Sequence, residues 1–203
     1  MPRVAYSEAD KVRIRQQLLE VWLDKFSQKG CRKVRIEDIL QEVGISKPFF
    51  YTFFPSKEEL ILSILEYQRE RLYRLAQETL ADTSRGWEEK LGDFLVRCLH
   101  AEREKLFIMT QEEEIYVHKH LRTEYVQAFQ NGQVEFYDQL LQMWGISREK
   151  CPPKRFGNLI LSVLLVHNSA AESLPFFFVE ELEQTGEAQA RMLAHYLAGI
   201  REG

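Results

Sequence analysis

Long hydrophobic runs and paired cysteines are both scarce in this 203-residue sequence. The longest apolar run, residues 159–166, is interrupted by Ser162 and is far shorter than the roughly 20 residues of a membrane-spanning helix. No apolar stretch follows Met1, so we expect a cytoplasmic protein without a leader peptide or membrane contact. The three cysteines are widely separated, which argues against a disulfide framework or a CxxC zinc site and favours buried, reduced thiols.

Signals for strands and for catalysis are equally sparse. β-Branched residues do not alternate along the chain, and its one Asn-Gly pair, Asn131-Gly132, lies inside a helical pattern. The sequence has no phosphate-binding loop and no Ser/His/Asp arrangement, so we expect neither enzymatic activity nor a cofactor. Glu114 and His118 stand one helical turn apart, but two such groups are too few to predict a metal site.

The charge is unevenly distributed along the chain. Up to Lys57 there are 11 basic and 7 acidic residues, whereas the remainder has 16 basic and 24 acidic residues, for a net charge of -4. A small basic part therefore precedes a larger acidic one. This asymmetry indicates an anionic partner for the first part, while the acidic remainder disfavours a protein that coats nucleic acid.

Capping residues and glycines divide the first part into helices. Ser7 and Asp10 have the spacing of a capping box, and Gly30 can end the helix that they begin. A second helix, from residue 36 to 43, is closed by Gly44. Ser46 can cap a very short third helix that must stop before Pro55, and a long fourth helix then runs from Ser56 to about residue 80.

The rest of the chain also shows helical periodicity. Further helices are predicted at about 87–102, 105–119, 122–144, 153–172 and 186–200. The predicted fold is all-α, with a three-helix head in residues 1–55, a connecting helix in 56–81 and a larger helical body in 82–203. The apolar content of 45% is ample for a core in each part.

The second and third helices form a predicted helix-turn-helix, since they are short and joined by a tight glycine turn. In such motifs the second helix enters the DNA major groove. Helix N-termini bind anions, so Ser46 with Lys47 and Ser56 with Lys57 offer two phosphate contacts about ten residues apart. Lys57 can equally be an ordinary solvated charge.

Residues 30–60, GCRKVRIEDILQEVGISKPFFYTFFPSKEEL, resemble the DNA-binding domain of the TetR family of bacterial transcriptional regulators. The resemblance is ungapped over about thirty positions and covers a small part of the chain. It rests on twelve positions: Gly30, Ile36, Ile39, Gly44, Ile45, Ser46, Phe50, Tyr51, Phe53, Phe54, Lys57 and Leu60. It implies a repressor that acts as a homodimer, binds palindromic double-stranded operator DNA and responds to a small-molecule effector.

The resemblance also implies which residues contact DNA. Residues at the start of the third helix fall where the family touches bases and nearby backbone, namely Ser46, Lys47, Pro48 and Phe49. Others fall where it touches phosphates, namely Tyr51, Thr52 and Lys57. Arg35 replaces a threonine that caps the second helix, so we expect that cap to be lost while the phosphate contact survives.

Two further departures from the family pattern lie in the third helix. Pro48 replaces a small residue and is tolerated in the first helical turn, because that amide has no intrahelical partner. Phe49 replaces a small polar residue, so it either contacts thymine methyl groups or packs within the protein. We expect Phe50, Phe53 and Phe54 to form the core that holds this short helix.

Candidates for an effector site lie in the body. They are aromatic residues and two polar residues that interrupt an apolar helix, namely Phe107, Tyr116, Phe129, Tyr137, Trp144, His167 and Asn168. Each of them can equally be an ordinary core residue. The set predicts a partly apolar effector, and it does not indicate whether the effector releases or promotes DNA binding.

The last two long helices are predicted to form the dimer interface. Ala190, Ala194 and Ala198 form a ridge beside large apolar residues, so few polar positions remain to face water. A four-helix interface with two-fold symmetry would cover these faces. The predicted interface residues are Leu161, Leu165, Ala190, Leu193, Ala194 and Leu197. Burial within one chain is the alternative.

Two other functional classes compete with a regulator. One is a helical small-molecule-binding protein or enzyme with an incidental helix-turn-helix, and the other is an architectural DNA protein. Sequence-specific binding to DNA upstream of its own gene would separate a regulator from both.

Overall fold

The computed structural model describes residues 6–100, 103–109, 111–121, 123–173 and 178–201. All regular elements within these ranges are helices, which confirms the predicted all-α class. Asn131 and Gly132 lie inside a long helix, so the predicted absence of a hairpin there is confirmed. Among the described helices, none combines the length and apolar character needed to cross a bilayer.

The helices follow one another along the chain as α1 Glu8–Lys29, α2 Ile36–Val43, α3 Lys47–Phe50, α4 Lys57–Ala81, α5 Trp87–Leu99, α6 Gln111–His120, α7 Thr123–Met143, α8 Pro153–Ser173 and α9 Leu182–Ile200. A single 3₁₀ turn, Val179–Glu181, directly precedes α9. The largest departure from the predicted bounds is α6, which begins at 111 rather than near 105. Lys105 has a positive φ of 52°, and Leu106 and Phe107 are buried in irregular backbone before the helix begins.

The predicted caps of α1 are confirmed. The Ser7 hydroxyl accepts a hydrogen bond from the Asp10 amide at 3.1 Å, and the Asp10 carboxylate accepts one from the Ser7 amide at 3.1 Å. At the other end the Gly30 amide donates to the Phe26 carbonyl at 2.9 Å. Caps of this kind contribute on the order of 1 kcal/mol each, so they fix where the helix begins and ends.

The chain divides into two compact units. One consists of Met1–Gln68 with Lys105–Leu121, and the other of Arg69–Glu104 with Arg122–Gly203. α4 contributes to both, because the division falls after Gln68. This division differs from the boundaries predicted at residues 55 and 81, since it places α6 with the N-terminal helices.

The first unit has an aromatic core. The Trp22 ring lies 5.2 Å from that of Phe26 and 6.3 Å from that of Phe50, measured between centroids. Phe26 in turn lies 5.2 Å from Phe107, in the segment before α6. All four side chains are buried, so α1 holds both α3 and the approach to α6.

Side-chain contacts also bind the α6 region into the first unit. These are Lys105 with Asp24 (2.9 Å), Arg32 with Glu112 (2.7 Å), the Cys31 amide with Glu113 (2.6 Å), the Tyr116 hydroxyl with Glu58 (3.1 Å) and the Gln68 amide with the Phe107 carbonyl (3.0 Å). The Arg32–Glu112 pair is exposed, and exposed ion pairs contribute little to stability. Glu113 differs from the other carboxylates in this set, because its side chain is buried.

The second unit is built around α9, which packs mainly against α5 and also against α8. α7 packs against α8. The core of the second unit contains Phe94 and Phe156, whose ring centroids lie 5.7 and 5.4 Å from that of the buried Trp144. Burial of large aromatic rings is the main stabilising contribution available to a core of this kind.

Candidate DNA-binding site

The turn between α2 and α3 has the geometry of a helix-turn-helix. Gly44 has φ 75° and ψ 33°, a left-handed conformation that costs a glycine little. Its amide and that of Ile45 both donate to the Leu40 carbonyl, at 2.9 and 3.1 Å. The chain therefore leaves α2 in a sharp turn, and only Ile45 and Ser46 separate Gly44 from the start of α3 at Lys47.

α3 is short and depends on its cap and on packing. The Ser46 hydroxyl accepts a hydrogen bond from the Phe49 amide at 3.4 Å, as predicted. Pro48 lies in the first turn, where a missing amide hydrogen leaves no helical bond unmade. Phe50 and Phe54 are buried and Phe53 is half-buried, so the predicted aromatic core is present, although Phe53 is only partly enclosed.

Phe49 lies at the edge of that core and contacts Tyr6, a residue that precedes α1. Its ring stacks on Tyr6, with centroids 4.4 Å apart and planes inclined by 13°. Its other ring contact is edge-on with Phe53 at 5.0 Å. Phe49 is half-buried, so packing uses part of the ring and leaves part of it exposed.

Lys47 is exposed and forms an ion pair with Glu37 of α2, at 2.8 Å. The hydrogen bond between the two raises the pKa of Lys47 and lowers that of Glu37, so both are charged at neutral pH. A lysine that contacts DNA from this position must exchange the carboxylate for a phosphate. Glu37 is therefore an internal competitor for the predicted DNA contact.

Two of the predicted phosphate-binding side chains also make hydrogen bonds within the protein. The Lys57 ammonium donates to the Val34 carbonyl at 3.1 Å, which connects the start of α4 to the loop before α2. The Thr52 hydroxyl donates to the Phe49 carbonyl at 2.6 Å, at the end of α3. Ser56, next to Lys57, caps α4 through the Glu59 amide at 3.1 Å.

Arg35 and Tyr51 are both exposed near this motif. Arg35 occupies the N-cap position of α2 and makes no side-chain cap hydrogen bond, as predicted. Tyr51 follows α3, and its ring lies edge-on to Phe50 at 5.3 Å. That contact anchors the ring, while 40% of the residue remains accessible to a partner.

The thiols of all three cysteines are free and buried, which confirms the predicted burial. Burial raises the pKa of Cys31 to about 12, with a further contribution from the Glu113 carboxylate. Burial also raises the pKa of Cys98 to about 12. The thiolate is the reactive form, so these residues are poor candidates for a redox switch.

The candidate effector residues are divided between the units. Phe107 and Tyr116 belong to the first unit, while Phe129, Tyr137, Trp144 and His167 belong to the second. The Asn168 side chain lies outside the described residues. Phe107 packs on Phe26, and the Tyr116 hydroxyl donates to the Glu58 carboxylate, as described above.

Within the second unit, Tyr137 is a core residue and Phe129 lies under Arg69. The Tyr137 ring packs so closely on Gly157 that a Cβ there would lie 2.4 Å from its Cε2 atom. Phe129 lies 5.3 Å below the Arg69 guanidinium. The Trp144 Nε1 and His167 Nδ1 atoms are buried without a hydrogen-bond partner among the described residues. Burial, followed by the charge of His100, lowers the pKa of His167.

Four of the six predicted dimer-interface residues are buried within the chain itself. Ala190, Leu193, Ala194 and Leu197 retain at most 7% of their surface, because this face of α9 lies in the core of the second unit. The prediction for these four is wrong, since they have almost no surface left for a partner. Leu161 is 38% exposed, and the Leu165 side chain lies outside the described residues.

Sequence patterns did not reveal Tyr6, Glu37 and Glu113, which the structure places beside or beneath the motif. Each acts through a contact with a residue at least ten positions away. Of the three, only Glu37 follows a local sequence pattern, because acidic residues are favoured in the first turn of a helix such as α2.

Comparison with known proteins gives consistent results. A family model described as "Bacterial regulatory proteins, tetR family" matches residues 18–64. An uncharacterised helix-turn-helix transcriptional regulator of Bacillus subtilis, YuxN, is 41% identical over 56 residues. That match spans 28% of this chain and 19% of the relative, so it covers only a small part of either protein.

Solved structures extend the likeness to the whole fold. A TetR-family transcriptional regulator from Pectobacterium atrosepticum is 18% identical with a TM-score of 0.57, covering 98% of this chain and 99% of the other. A structure described as the molecular basis for control of antibiotic production by a bacterial hormone is also 18% identical with a TM-score of 0.57, covering 92% and 97%.

The family match at residues 18–64 includes α2, the glycine turn and α3, so it agrees with the turn geometry described above. Residues 18–64, which contain the helix-turn-helix of α2 and α3, match the TetR family of bacterial regulatory proteins, and the fold of the whole chain is similar to that of solved TetR-family regulators.

Proposed function

We propose that this regulator is a repressor that binds a palindromic operator as a homodimer and is controlled by a small-molecule effector. The observation that carries the proposal is the α2–turn–α3 motif, held on the core by Phe50 while polar residues beside it remain exposed. α3 enters the major groove, with Ser46, Lys47, Pro48 and Phe49 at its leading end. Residues 1–55 are the DNA-binding part in this proposal.

The phosphate contacts come from side chains around the motif. Arg35 and Tyr51 are exposed on either side of α3 and bind phosphate oxygens with charged and phenolic donors. Thr52 and Lys57 reinforce the backbone around the motif. The Lys57 ammonium contacts a phosphate with its remaining N–H donors, whereas the Thr52 hydroxyl must turn its one donor from the Phe49 carbonyl to a phosphate. The part of Phe49 that Tyr6 and Phe53 leave exposed contacts a thymine methyl group.

Lys47→Ala is expected to weaken operator binding by about tenfold per half-site, the equivalent of about 1.4 kcal/mol for one charge-assisted hydrogen bond. The slope of log affinity against log salt concentration should fall by about 1 for each half-site, because each half-site loses one Lys47 contact. Glu37→Gln should have the opposite effect and tighten binding, because it removes the carboxylate that holds Lys47. Electrophoretic shifts with DNA upstream of the gene, run at several salt concentrations, measure both effects.

Arg97→Ala is the control for these variants. Arg97 is an exposed arginine that also pairs with a carboxylate, Glu104 at 2.7 Å, but it lies in the second unit. Operator affinity should be unchanged. Failure of the wild-type protein to form a sequence-specific complex at moderate salt, with or without candidate effectors, would overturn the proposed function.

The homodimer in this proposal uses the apolar side chains that α8 and α9 leave exposed. Leu161 is 38%, Met192 62% and Tyr196 41% exposed, although all three are large and apolar or aromatic. Exposed apolar side chains on adjacent, packed helices are typical of protein interfaces. A two-fold interface would pair each helix with its copy.

Met192→Glu combined with Tyr196→Glu is expected to convert the dimer into a monomer, because it places four charges in the two-fold interface. Sedimentation equilibrium measures the change in mass. Val12→Glu, at an equally exposed apolar position on α1, should leave the mass unchanged. A wild-type protein that sediments as a monomer at concentrations that saturate the operator would contradict the proposal.

We place the effector in residues 82–203, and a structure of similar fold is described in terms of control by a bacterial hormone. Trp144 Nε1 and His167 Nδ1, like Trp22 Nε1 in the first unit, are buried without a partner among the described residues, and the two in residues 82–203 are candidates for an effector contact. Residues 56–81 transmit the signal. α4 runs unbroken from Lys57 to Ala81, so a tilt at one end changes the position of the other. Half-sites lie about 34–36 Å apart, and a small displacement of α3 disrupts binding.

A further inference from the structure

Three potential metal ligands from distant parts of the sequence meet in the second unit. They are His100 at the end of α5 and Glu183 and Glu187, one turn apart on α9. Their ligand atoms lie within 4.8 Å of one another, and His100 Nε2 is 3.9 Å from Glu187 Oε1. We propose that these three residues bind a divalent transition-metal ion, with Zn²⁺ as the best match.

The donor set favours zinc over harder ions. Imidazole nitrogen and carboxylate oxygen both bind Zn²⁺, whereas Mg²⁺ and Ca²⁺ prefer oxygen donors alone. Two carboxylates and a neutral imidazole balance the charge of the ion. Bonds of about 2.0–2.2 Å place tetrahedral ligands about 3.4 Å apart, so the present spacing needs to contract by roughly 0.5–1.4 Å. Glu183 is exposed and Glu187 half-buried, so rotation of these flexible side chains supplies the contraction.

A second imidazole lies beside the three ligands. The rings of His167 and His100 meet edge to face, with centroids 6.1 Å apart. His167 Nδ1 is buried against Gly186, between the two glutamates, and has no hydrogen-bond partner among the described residues. A Cβ at residue 186 would lie 2.4 Å from that nitrogen, so the glycine permits the close approach of His167. His167 therefore packs both against the His100 ring and against the turn of α9 that carries the two glutamates.

The sequence predicts no metal site, because these three ligands are not close together in the chain. Glu183 and Glu187 have helical ligand spacing, but their partner lies more than 80 residues earlier. Only the packing of α5 against α9 brings them together. The buried cysteines do not compete for the ion, since their thiols are enclosed and protonated.

Isothermal titration of the full chain, free of affinity tags and treated with a chelator before dialysis, tests the site with ZnCl₂. We expect saturable binding of one ion per chain. His100→Ala and Glu187→Gln should each weaken binding at least about tenfold, the lower limit seen even for residues that only support a ligand. Mg²⁺ at millimolar concentration should not compete.

His195→Ala is the matched control, because His195 and Glu88 form the other histidine–glutamate contact between α9 and α5, at 3.0 Å. Its zinc affinity should equal that of the wild type. Thermal unfolding shows whether each variant is folded and whether it binds zinc. Zinc should raise the unfolding midpoint of the wild type and of His195→Ala, but not that of the isosteric Glu187→Gln. No saturable binding, or equal affinity in Glu187→Gln and the wild type, would refute the site. Neither result bears on operator binding.

Discussion

Phe50→Ala is expected to lower the free energy of unfolding of the first unit by about 3–5 kcal/mol and to abolish operator binding. Phe49→Ala, one residue earlier, should lower it by only about 1 kcal/mol, the contribution of one stacked aromatic pair. Both changes remove the same number of atoms from the same short helix. The expected difference therefore comes from the environments of the two rings.

Those environments are very different. Phe50 has no exposed surface and packs between Trp22 of α1, at 6.3 Å, and Phe54, at 5.6 Å. Phe49 is half-buried and stacks on Tyr6 before α1. α3 has four residues, and a helix that short does not form without tertiary packing. Loss of Phe50 removes the contact that holds α3 against α1.

Urea unfolding monitored by far-UV circular dichroism and tryptophan fluorescence measures both variants. Val12→Ala, an exposed apolar truncation on α1, should change stability by less than about 0.5 kcal/mol and serves as the control. Equal losses for Phe49→Ala and Phe50→Ala would contradict the assignment of Phe50 to the core and Phe49 to the surface.

The same variants separate the two roles of Phe49. Tyr6→Ala removes its stacking partner without changing the residue that would face a base. A packing role predicts that Tyr6→Ala and Phe49→Ala weaken operator binding equally. Contact with a thymine methyl predicts a larger loss for Phe49→Ala, and a loss that disappears on an operator with uracil in place of the contacted thymine.

The features of this head that were predictable from sequence are local ones. The capping box of Ser7, the Ser46 cap and the glycine turn at Gly44 each depend on residues within a few positions of one another. The groups that form these caps and this turn all lie within about one turn of backbone. The same holds for the missing cap at Arg35.

Features that were not predictable depend on which helix lies opposite. α9 has the pattern of a helix buried on more than one side, and that pattern is the same whether α5 or a second chain covers it. Its small residues therefore suggested an interface although α5 buries them. Lys57 likewise has the sequence position of a phosphate ligand, and only the fold brings the Val34 carbonyl within 3.1 Å of it.

Glu113 is the clearest example of a residue whose role sequence could not show. It stands in a run of three glutamates on α6, a pattern typical of a solvated helix face. Its side chain is nevertheless buried, and its carboxylate accepts a hydrogen bond from the Cys31 amide at 2.6 Å. Cys31 is itself fully buried, directly after the end of α1. Glu113 thus binds α6 to the corner between α1 and α2.

Glu113→Ala is expected to destabilise the first unit by about 2–3 kcal/mol, because it leaves the buried Cys31 amide without its charged acceptor. Glu113→Gln keeps an acceptor oxygen of the same shape and should cost about 1 kcal/mol. Glu112→Ala is the matched control: Glu112 is the adjacent residue, and its ion pair with Arg32 is exposed, so its loss should cost less than about 1 kcal/mol. Urea unfolding of the three variants measures their losses of stability, which should rank Glu113→Ala above Glu113→Gln and Glu112→Ala.

The consequence for function follows from the place of that hydrogen bond. Cys31 lies just before the loop that leads into α2, so release of Glu113 loosens the corner from which the helix-turn-helix begins. We expect Glu113→Ala to weaken operator binding at temperatures well below its own unfolding midpoint, while Glu112→Ala binds as the wild type does. Faster labelling of Cys31 by a thiol reagent in Glu113→Ala would report the same opening, because that thiol is enclosed in the native fold. If Glu113→Ala labels Cys31 at the wild-type rate and binds the operator with wild-type affinity, then α6 does not support the segment between α1 and α2.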